Sequence, residues 1–471
     1  MRTIKSSIFL AIVATCTGLA PVVSAQKVNS MYFLDRSPIQ TRMNPAMAPK
    51  ASGFGVGVSN VAFYLQSDLA FDDIFSKGTD NKTLFLLNPG FDKTTFVNNL
   101  KDESSFRSGF NMELFTMGLR VKDLYFSFHS SMNMDMGLGI PKDMFKLVLL
   151  GMDANSPSTT FNLTDFNMET MVYNKTGVGL SVKLGKMLSI GANVDYLAGL
   201  AHSKMGFDEL TVTASETQWD VTSKGYFQLT GPDNVSLAYD EDNYLSGIKT
   251  GGMESITANM NSILDKLAGT GYSVDLGLTL KPLPFLTLSA AVSDLGSIKW
   301  KKENIQKASS NGTFTYDGMD LSLSNDEGDN NEGNNSQITD ELTNLVRFSK
   351  ETVTEGYSTP LTTKVNIGAE AGLLNNHITF GVLSQTGYTP TGKYNDFMLS
   401  ANLKPGSLIQ TALTYSLLHG EKSSFGAAVN MKLLFLNAFL AADYIPIRYS
   451  KDYIPLSNSF YNFQCGVNFM F

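Results

Sequence analysis

The segment Tyr461-Asn462-Phe463-Gln464-Cys465-Gly466-Val467-Asn468-Phe469-Met470-Phe471 sorts its side chains into two sets. Tyr461, Phe463, Cys465, Val467, Phe469 and Phe471 fall on one side of an extended chain, and Asn462, Gln464, Gly466 and Asn468 on the other. Alternate residues of a strand point to opposite faces, so the stretch has one oily face and one wet face.

The pattern recurs upstream. Leu188, Ile190, Ala192, Val194, Tyr196, Ala198 and Leu200 alternate with Ser189, Gly191, Asn193, Asp195 and Gly199. Tyr272, Val274, Leu276, Leu278 and Leu280 alternate with Ser273, Asp275, Gly277, Thr279 and Lys281. Read along the whole chain, the alternation predicts strands at 53–66, 109–121, 123–137, 175–185, 187–202, 271–281, 284–296, 361–373, 376–388, 394–404, 406–418, 424–433, 435–446 and 459–471. Most reach the roughly 9–11 residues that a tilted strand needs to cross a bilayer.

The connections give a second signal. Those after the even-numbered strands are short: Val121-Lys122-Asp123, Gly185-Lys186, Lys281-Pro282-Leu283-Pro284, Leu374-Asn375-Asn376, Lys404-Pro405-Gly406 and Leu433-Leu434. The others include 67–108, 138–174, 203–270 and 297–360. Short periplasmic turns alternating with long external loops are the habit of outer-membrane barrels. An exported β-sandwich also alternates apolar and polar residues, but its strands are shorter, about five or six residues. The expected fold is therefore all-β: a transmembrane antiparallel barrel of about fourteen strands.

Closure follows from the solvent. In hydrocarbon every backbone N–H and C=O must be paired inside the protein, which excludes an open sheet edge. A Lys or Arg on the lipid face at mid-membrane costs about 2–4 kcal/mol. Lys183, Asp195, Asp275, Glu370 and Asp443 are therefore assigned to the lumen. Strand three turns Ser127, His129, Ser131, Asn133 and Asp135 inward beside them.

The N-terminus reads as an export signal over residues 1–25. Arg2 and Lys5 precede the apolar run from Ile8, and Val23-Ser24-Ala25 fits a cleavage site before Gln26. Lipidation at Cys16 is the weaker alternative, because Thr15 is a poor neighbour and the apolar stretch runs past it. Loss of Arg2 and Lys5 makes the mature chain more acidic than the formal −8 of the whole, which argues against a nucleic-acid partner. Only Cys465 would remain, so no internal disulfide is expected.

Residues 26–52 lie between that site and the barrel at 53–471. Pro38, Pro45 and Pro49 keep this stretch from forming one long helix or strand. Its expected place is inside the barrel mouth, as a hatch. It carries Asn44-Pro45-Ala46, and farther on the chain carries Asp294-Leu295-Gly296-Ser297-Ile298-Lys299-Trp300. An Asn-Pro-Ala element ahead of fourteen strands and a closing Phe471 resembles the long-chain fatty-acid transporter (FadL-like) superfamily, which includes PorV-like barrels of secretion systems. Together with the Asp-Leu-Gly-x-Ile-x-Trp element it resembles uncharacterised outer-membrane barrels of Bacteroidetes, which are Gram-negative. The resemblance implies a hatch role for Asn44, Pro45 and Ala46. It implies a place in the cell outer membrane among its lipids, with Phe471 recognised by the barrel assembly machinery. It further implies uptake of a small, partly hydrophobic ligand or, alternatively, a scaffold for a secreted or surface protein.

Helical spacing appears at 252–268 and around Met144, Phe145, Leu147, Val148 and Leu150, and is read as loop helices on the barrel rim. The stretch 325–336 is a polar, acidic loop tip. His129, His202, His377 and His419 are scattered, and no His-Glu-x-x-His, Walker or Gly-x-Ser-x-Gly motif occurs. His129 with Ser127 or Ser131 is the nearest thing to a hydrolase pair. No enzyme, cofactor or metal is expected.

Overall fold

The structure, a computed structural model, describes residues 29–49, 53–69, 71–77, 83–88, 90–153, 155–232, 234–250, 267–316, 346–389, 392–406, 408–418, 422–445, 448–449, 455–456 and 460–471. The export signal, His419, the acidic stretch 325–336 and nearly all of the helical stretch 252–268 lie outside them.

Fourteen strands form one closed antiparallel ring: β1 (Phe54–Ser67), β2 (Glu103–Val121), β3 (Leu124–Pro141), β4 (Asn167–Leu184), β5 (Leu188–Ser215), β6 (Gly269–Leu283), β7 (Leu286–Trp300), β8 (Thr363–Leu373), β9 (Ile378–Thr389), β10 (Gly392–Leu403), β11 (Ile409–Leu418), β12 (Lys422–Leu433), β13 (Leu436–Ile445) and β14 (Phe460–Met470). Each pairs with its neighbours in sequence, and β14 returns to β1 with Phe63 opposite Phe463. Every strand read from the alternation is present.

The two faces separate as the sequence requires. Val178, Val194, Leu276, Ile367, Phe380, Leu413, Leu440 and Phe463 stand exposed on the outside, while Asn193, Asp195, Asp275, Asn402, Asn430, Gln464 and Asn468 are buried within. This inversion of the usual globular arrangement, apolar outside and polar inside, is what a lipid surround selects. The protein is an outer-membrane barrel.

Tight turns set the inner rim. Lys122, Gly185 and Leu434 take the left-handed conformation, with φ of 55°, 65° and 53°, which lets a short hairpin match the strand twist. Leu374 and Leu434 stay exposed on these turns beside Phe285 and Phe435. Phe435 stacks on Phe471 with ring centroids 5.7 Å apart, and Phe54 lies 6.3 Å from Phe471, so aromatic rings clamp the seam where β14 meets β1 and β13.

The outer side differs from the reading of 138–174, 203–270 and 297–360 as loops. β2, β4 and β5 run well beyond their expected ends. The far end of β5 pairs with Ser158–Asn162 on one side and Trp219–Thr230 on the other, and the latter pairs with Ile305–Tyr316. Phe161, Leu163, Leu210, Val212, Val221, Phe227 and the helix Lys142–Leu149 enclose an apolar core there. Register shifts at Val172/Tyr173 and Phe207/Glu209 break the period-two pattern, which is why the alternation stops short in the sequence.

Leu413, in mid-β11, is 67% exposed. Leu413→Lys should cost about 2–4 kcal/mol in a folding titration into phospholipid vesicles. A side chain facing water would tolerate the change within about 0.5 kcal/mol.

Candidate functional site

The residues before β1 fill the middle of the ring. Asn44 is fully buried, and its Nδ2 donates to the carbonyls of Leu278 (3.4 Å) and Ala290 (3.3 Å), while its Oδ1 accepts from the Ala46 N–H at 3.0 Å. The seat is made by two glycines. Gly191 of β5 and Gly277 of β6 lie opposite each other in the ladder. A methyl group at Gly191 would strike the Pro45 carbonyl, and one at Gly277 would strike Asn44 and the Pro45 ring. The absence of side chains at this cross-strand pair opens the dent that takes Asn44-Pro45-Ala46.

The rest of the segment is fastened around the wall. Ser30 N–H donates to Asp443 of β13 (2.9 Å) and Tyr32 Oη meets Ser289 of β7 (3.1 Å). Gln410 of β11 donates to Asp35 (2.8 Å), Asn193 of β5 to the Thr41 carbonyl (3.3 Å) and Asn366 of β8 to the Met43 carbonyl (3.1 Å). Arg42 Nε donates to Glu113 of β2 at 2.6 Å, and Asn60 Nδ2 holds the other oxygen of Glu113 at 2.6 Å. On the β9–β13 side the contacts are apolar: Met31, Tyr32, Phe33, Leu34, Ile39 and Met43 pack on Leu383, Met398, Ala412, Ala428, Phe439 and Ala441. The lumen is thus greasy on one side.

Above the segment lies an ionic cluster. Lys175 Nζ of β4 reaches Asp294 (2.7 Å), Asp195 (3.0 Å) and Asp275 (3.4 Å), and Lys364 of β8 reaches the second oxygen of Asp294 at 3.1 Å. His129 Nε2 lies 2.7 Å from Asp195, so the ring faces a carboxylate and not Ser127 or Ser131. Asp294 sits on a bulge with φ +60°, where its N–H donates to Asp275 at 2.8 Å. At the far end of the same motif, Trp300 donates to Thr359 (3.0 Å) and stacks on His202, with centroids 5.3 Å apart. His202 is held by Glu169 (3.0 Å) and the Tyr357 hydroxyl (2.6 Å). Burial pushes the Tyr357 phenol up to about 12, which keeps it protonated. Asp294-Leu295-Gly296-Ser297-Ile298-Lys299-Trp300 therefore anchors the charge cluster at one end and an aromatic brace at the other.

Cavities lie on both sides of this middle layer. An outer vestibule of about 420 Å³ is lined by Tyr64, Arg107, Asp135, Glu169, Met171 and Tyr394, among others. Below it a chamber of about 50 Å³ touches Arg42, Glu113, His129, Asp135, Lys175 and Lys364. Two inner mouths of about 400 and 380 Å³ open under the N-terminal segment. Lys183 and Glu370 line these mouths, and Glu370 is bound by Thr379 (2.6 Å) and Lys404 (2.5 Å). With Lys183 and Glu370 at the mouths, the expected inward residues divide into four places. His129, Asp195 and Asp275 join the cluster, Asp135 stands between vestibule and chamber, and Asp443 holds the N-terminal segment.

Over residues 45–443 the sequence matches a family of unknown function (DUF5723). The chain belongs to that family. No curated protein matches it. Among solved structures, the DUF5723 barrel is similar to the Ralstonia pickettii toluene transporter TbuX, with 10% identity, a TM-score of 0.43, and coverage of 93% of this chain and 94% of that one. It is similar also to a Pseudomonas aeruginosa FadL homologue, with 9% identity, a TM-score of 0.43, and coverage of 96% and 100%. The architecture of the DUF5723 barrel rests on its own strand ladder.

Arg42, Lys175, Asp294 and Lys364 are the functional candidates that sequence reasoning missed. Lys175 opens a predicted strand and Asp294 lies two residues from the end of one, positions where a charge reads as a rim residue. The signal that was available is the coincidence of Asp294 with the Asp-Leu-Gly motif. Among the described residues no group of His, Cys, Asp and Glu is arranged to hold a metal ion.

Two measurements probe this layer in the DUF5723 barrel. Lys175→Met removes the cation that three carboxylates share and should cost about 3–5 kcal/mol in a detergent denaturation series, the penalty for breaking a buried ion pair. Gly277→Val fills the dent. It should leave the heat-resistant barrel band intact while exposing residues 29–49 to protease added at the inner face. Continued protection would contradict the seat.

Proposed function

We propose that this barrel takes up a small, partly hydrophobic compound across the outer membrane, with residues 29–49 acting as the hatch. The observation that carries the reading is the layered lumen: an outer cavity, a charged waist, a separately folded floor and inner mouths in line. The vestibule falls in the range of small-molecule sites, about 300–1,000 Å³. Its lining mixes Tyr64, Met136, Leu138 and Met171 with charged groups, which suits a ligand that is apolar over part of its surface. The floor is held by side-chain hydrogen bonds, the Arg42–Glu113 ion pair and an apolar patch rather than by strand pairing, so it can move while the wall stays closed.

A second reading is a PorV-like scaffold for a secreted or surface protein. The enclosed apolar core beyond the membrane favours it, because that layer would give a partner a rigid platform.

Deletion of 26–50 separates the two. A hatch-gated barrel reconstituted in liposomes should be nearly closed as the intact chain and should pass small solutes after the deletion. A deletion barrel that stays closed, with a protein partner retained in outer-membrane pull-downs, would favour the scaffold.

A further inference from the structure

We infer that the vestibule recognises an organic cation: an amine or quaternary ammonium carried on an apolar or aromatic body. The inference rests on the uptake reading and names the chemical class for its outer site.

Charge balance comes first. Around the waist three cations, Arg42, Lys175 and Lys364, face five carboxylates: Glu113, Asp135, Asp195, Asp275 and Asp294. Glu113 is taken by Arg42, and Asp195, Asp275 and Asp294 by the lysines. Asp135 is different. It lines both the vestibule and the chamber, and among the described residues its carboxylate makes no hydrogen bond and no ion pair. The vestibule itself is lined by four carboxylates, Asp68, Glu103, Asp135 and Glu169, and by one cation, Arg107. Glu169 is hydrogen-bonded by His202, Asp68 by Ser105 with Lys101 nearby, and Glu103 by Asn167, so the vestibule keeps an excess of negative charge with Asp135 at its floor. The chamber beneath holds a second open group. His129 is 1% exposed, and its Nδ1 has no hydrogen-bond partner.

The neighbours of Asp135 suit a cation. Tyr64 of β1, Gly109 of β2 and Asp135 of β3 form one cross-strand row, in which the glycine puts no side chain between tyrosine and carboxylate. Tyr394 lines the vestibule with them, and Tyr173 lines the chamber beside Asp135. Aromatic rings attract a cation through their negative faces, by about 0.5–2 kcal/mol each as the site is desolvated. A carboxylate beside several rings therefore favours an ammonium over a neutral or anionic isostere. Space is available: a Cβ built at Gly137, two residues along β3 on the same vestibule wall, meets nothing within 4 Å.

The test uses the full chain in a non-ionic detergent and three soluble one-ring probes: benzyltrimethylammonium, benzyl alcohol and benzoate. Calorimetric titration should show the cation bound about tenfold more tightly than the alcohol, with benzoate weakest. The preference should shrink as salt is raised. Asp135→Asn should bring the cation down to the level of the alcohol, Asp135→Glu should restore most of the difference, and Gly137→Trp should remove binding of all three. If Asp135→Asn fails to fold, the probe ranking, its salt dependence and the Gly137→Trp result on the unaltered carboxylate still decide. Equal or tighter binding of benzyl alcohol or benzoate, or Asp135→Asn with unchanged affinity, would overturn the cation site. Those results would leave uptake standing, since that reading fails on a different readout, a deletion barrel that passes no solute.

Discussion

Hydrocarbon offers no hydrogen-bond partner to a peptide group, and the rest of this structure follows from that one constraint. Each of the fourteen strands must be paired along both edges, so β14 must find β1 and the sheet must close. Once it is closed, the alternation leaves polar side chains only the interior. A ring of this size encloses more space than inward side chains fill, and a buried polar group without a partner costs roughly 1–3 kcal/mol. The N-terminal segment meets both needs. Its amides, carbonyls and side chains complete hydrogen bonds for Asn193, Ser289, Asn366, Gln410, Asp443 and Gln464.

The same logic explains why the waist is charged. Asp195, Asp275 and Asp294 come from three strands and converge on one lysine. Buried carboxylates are costly unless paired or hydrogen-bonded, and the pairing here ties β4, β5, β6 and β7 together across the lumen. The bulge at Asp294 is part of this arrangement. By turning the backbone to φ +60°, it points an N–H at Asp275 and a carboxylate at both Lys175 and Lys364. A local departure from the ladder thus organises the cluster that separates vestibule from floor.

Much of the barrel was legible because lipid exposure writes a strict period of two. Leu276, Ile367 and Leu413 announce their orientation by their flanking polar neighbours, and positive-φ turns such as Gly185 mark the hairpins. The outer sheet was not legible. There Phe161, Val212 and Phe227 are buried in a protein core, and bulges shift the register, so the alternation no longer tracks one environment. Of the site, the inward direction of His129, Asp195 and Asp275 could be read from parity alone. Which carboxylate meets which lysine could not, because those contacts cross the lumen between residues as far apart as Lys175 and Asp294. The Gly191/Gly277 seat was hidden for a related reason: glycine at an inward position reads as merely small until the chain that rests on it is in place.

The central claim is that the segment before β1 is part of the folded lumen. Hydrogen–deuterium exchange on the protein in lipid nanodiscs tests it directly. Amides between Ser30 and Met47 should exchange as slowly as those of β5 and β6, because their N–H groups are enclosed and bonded within the ring. Complete exchange of that stretch within seconds, while the strands remain protected, would place it outside the barrel and contradict the account.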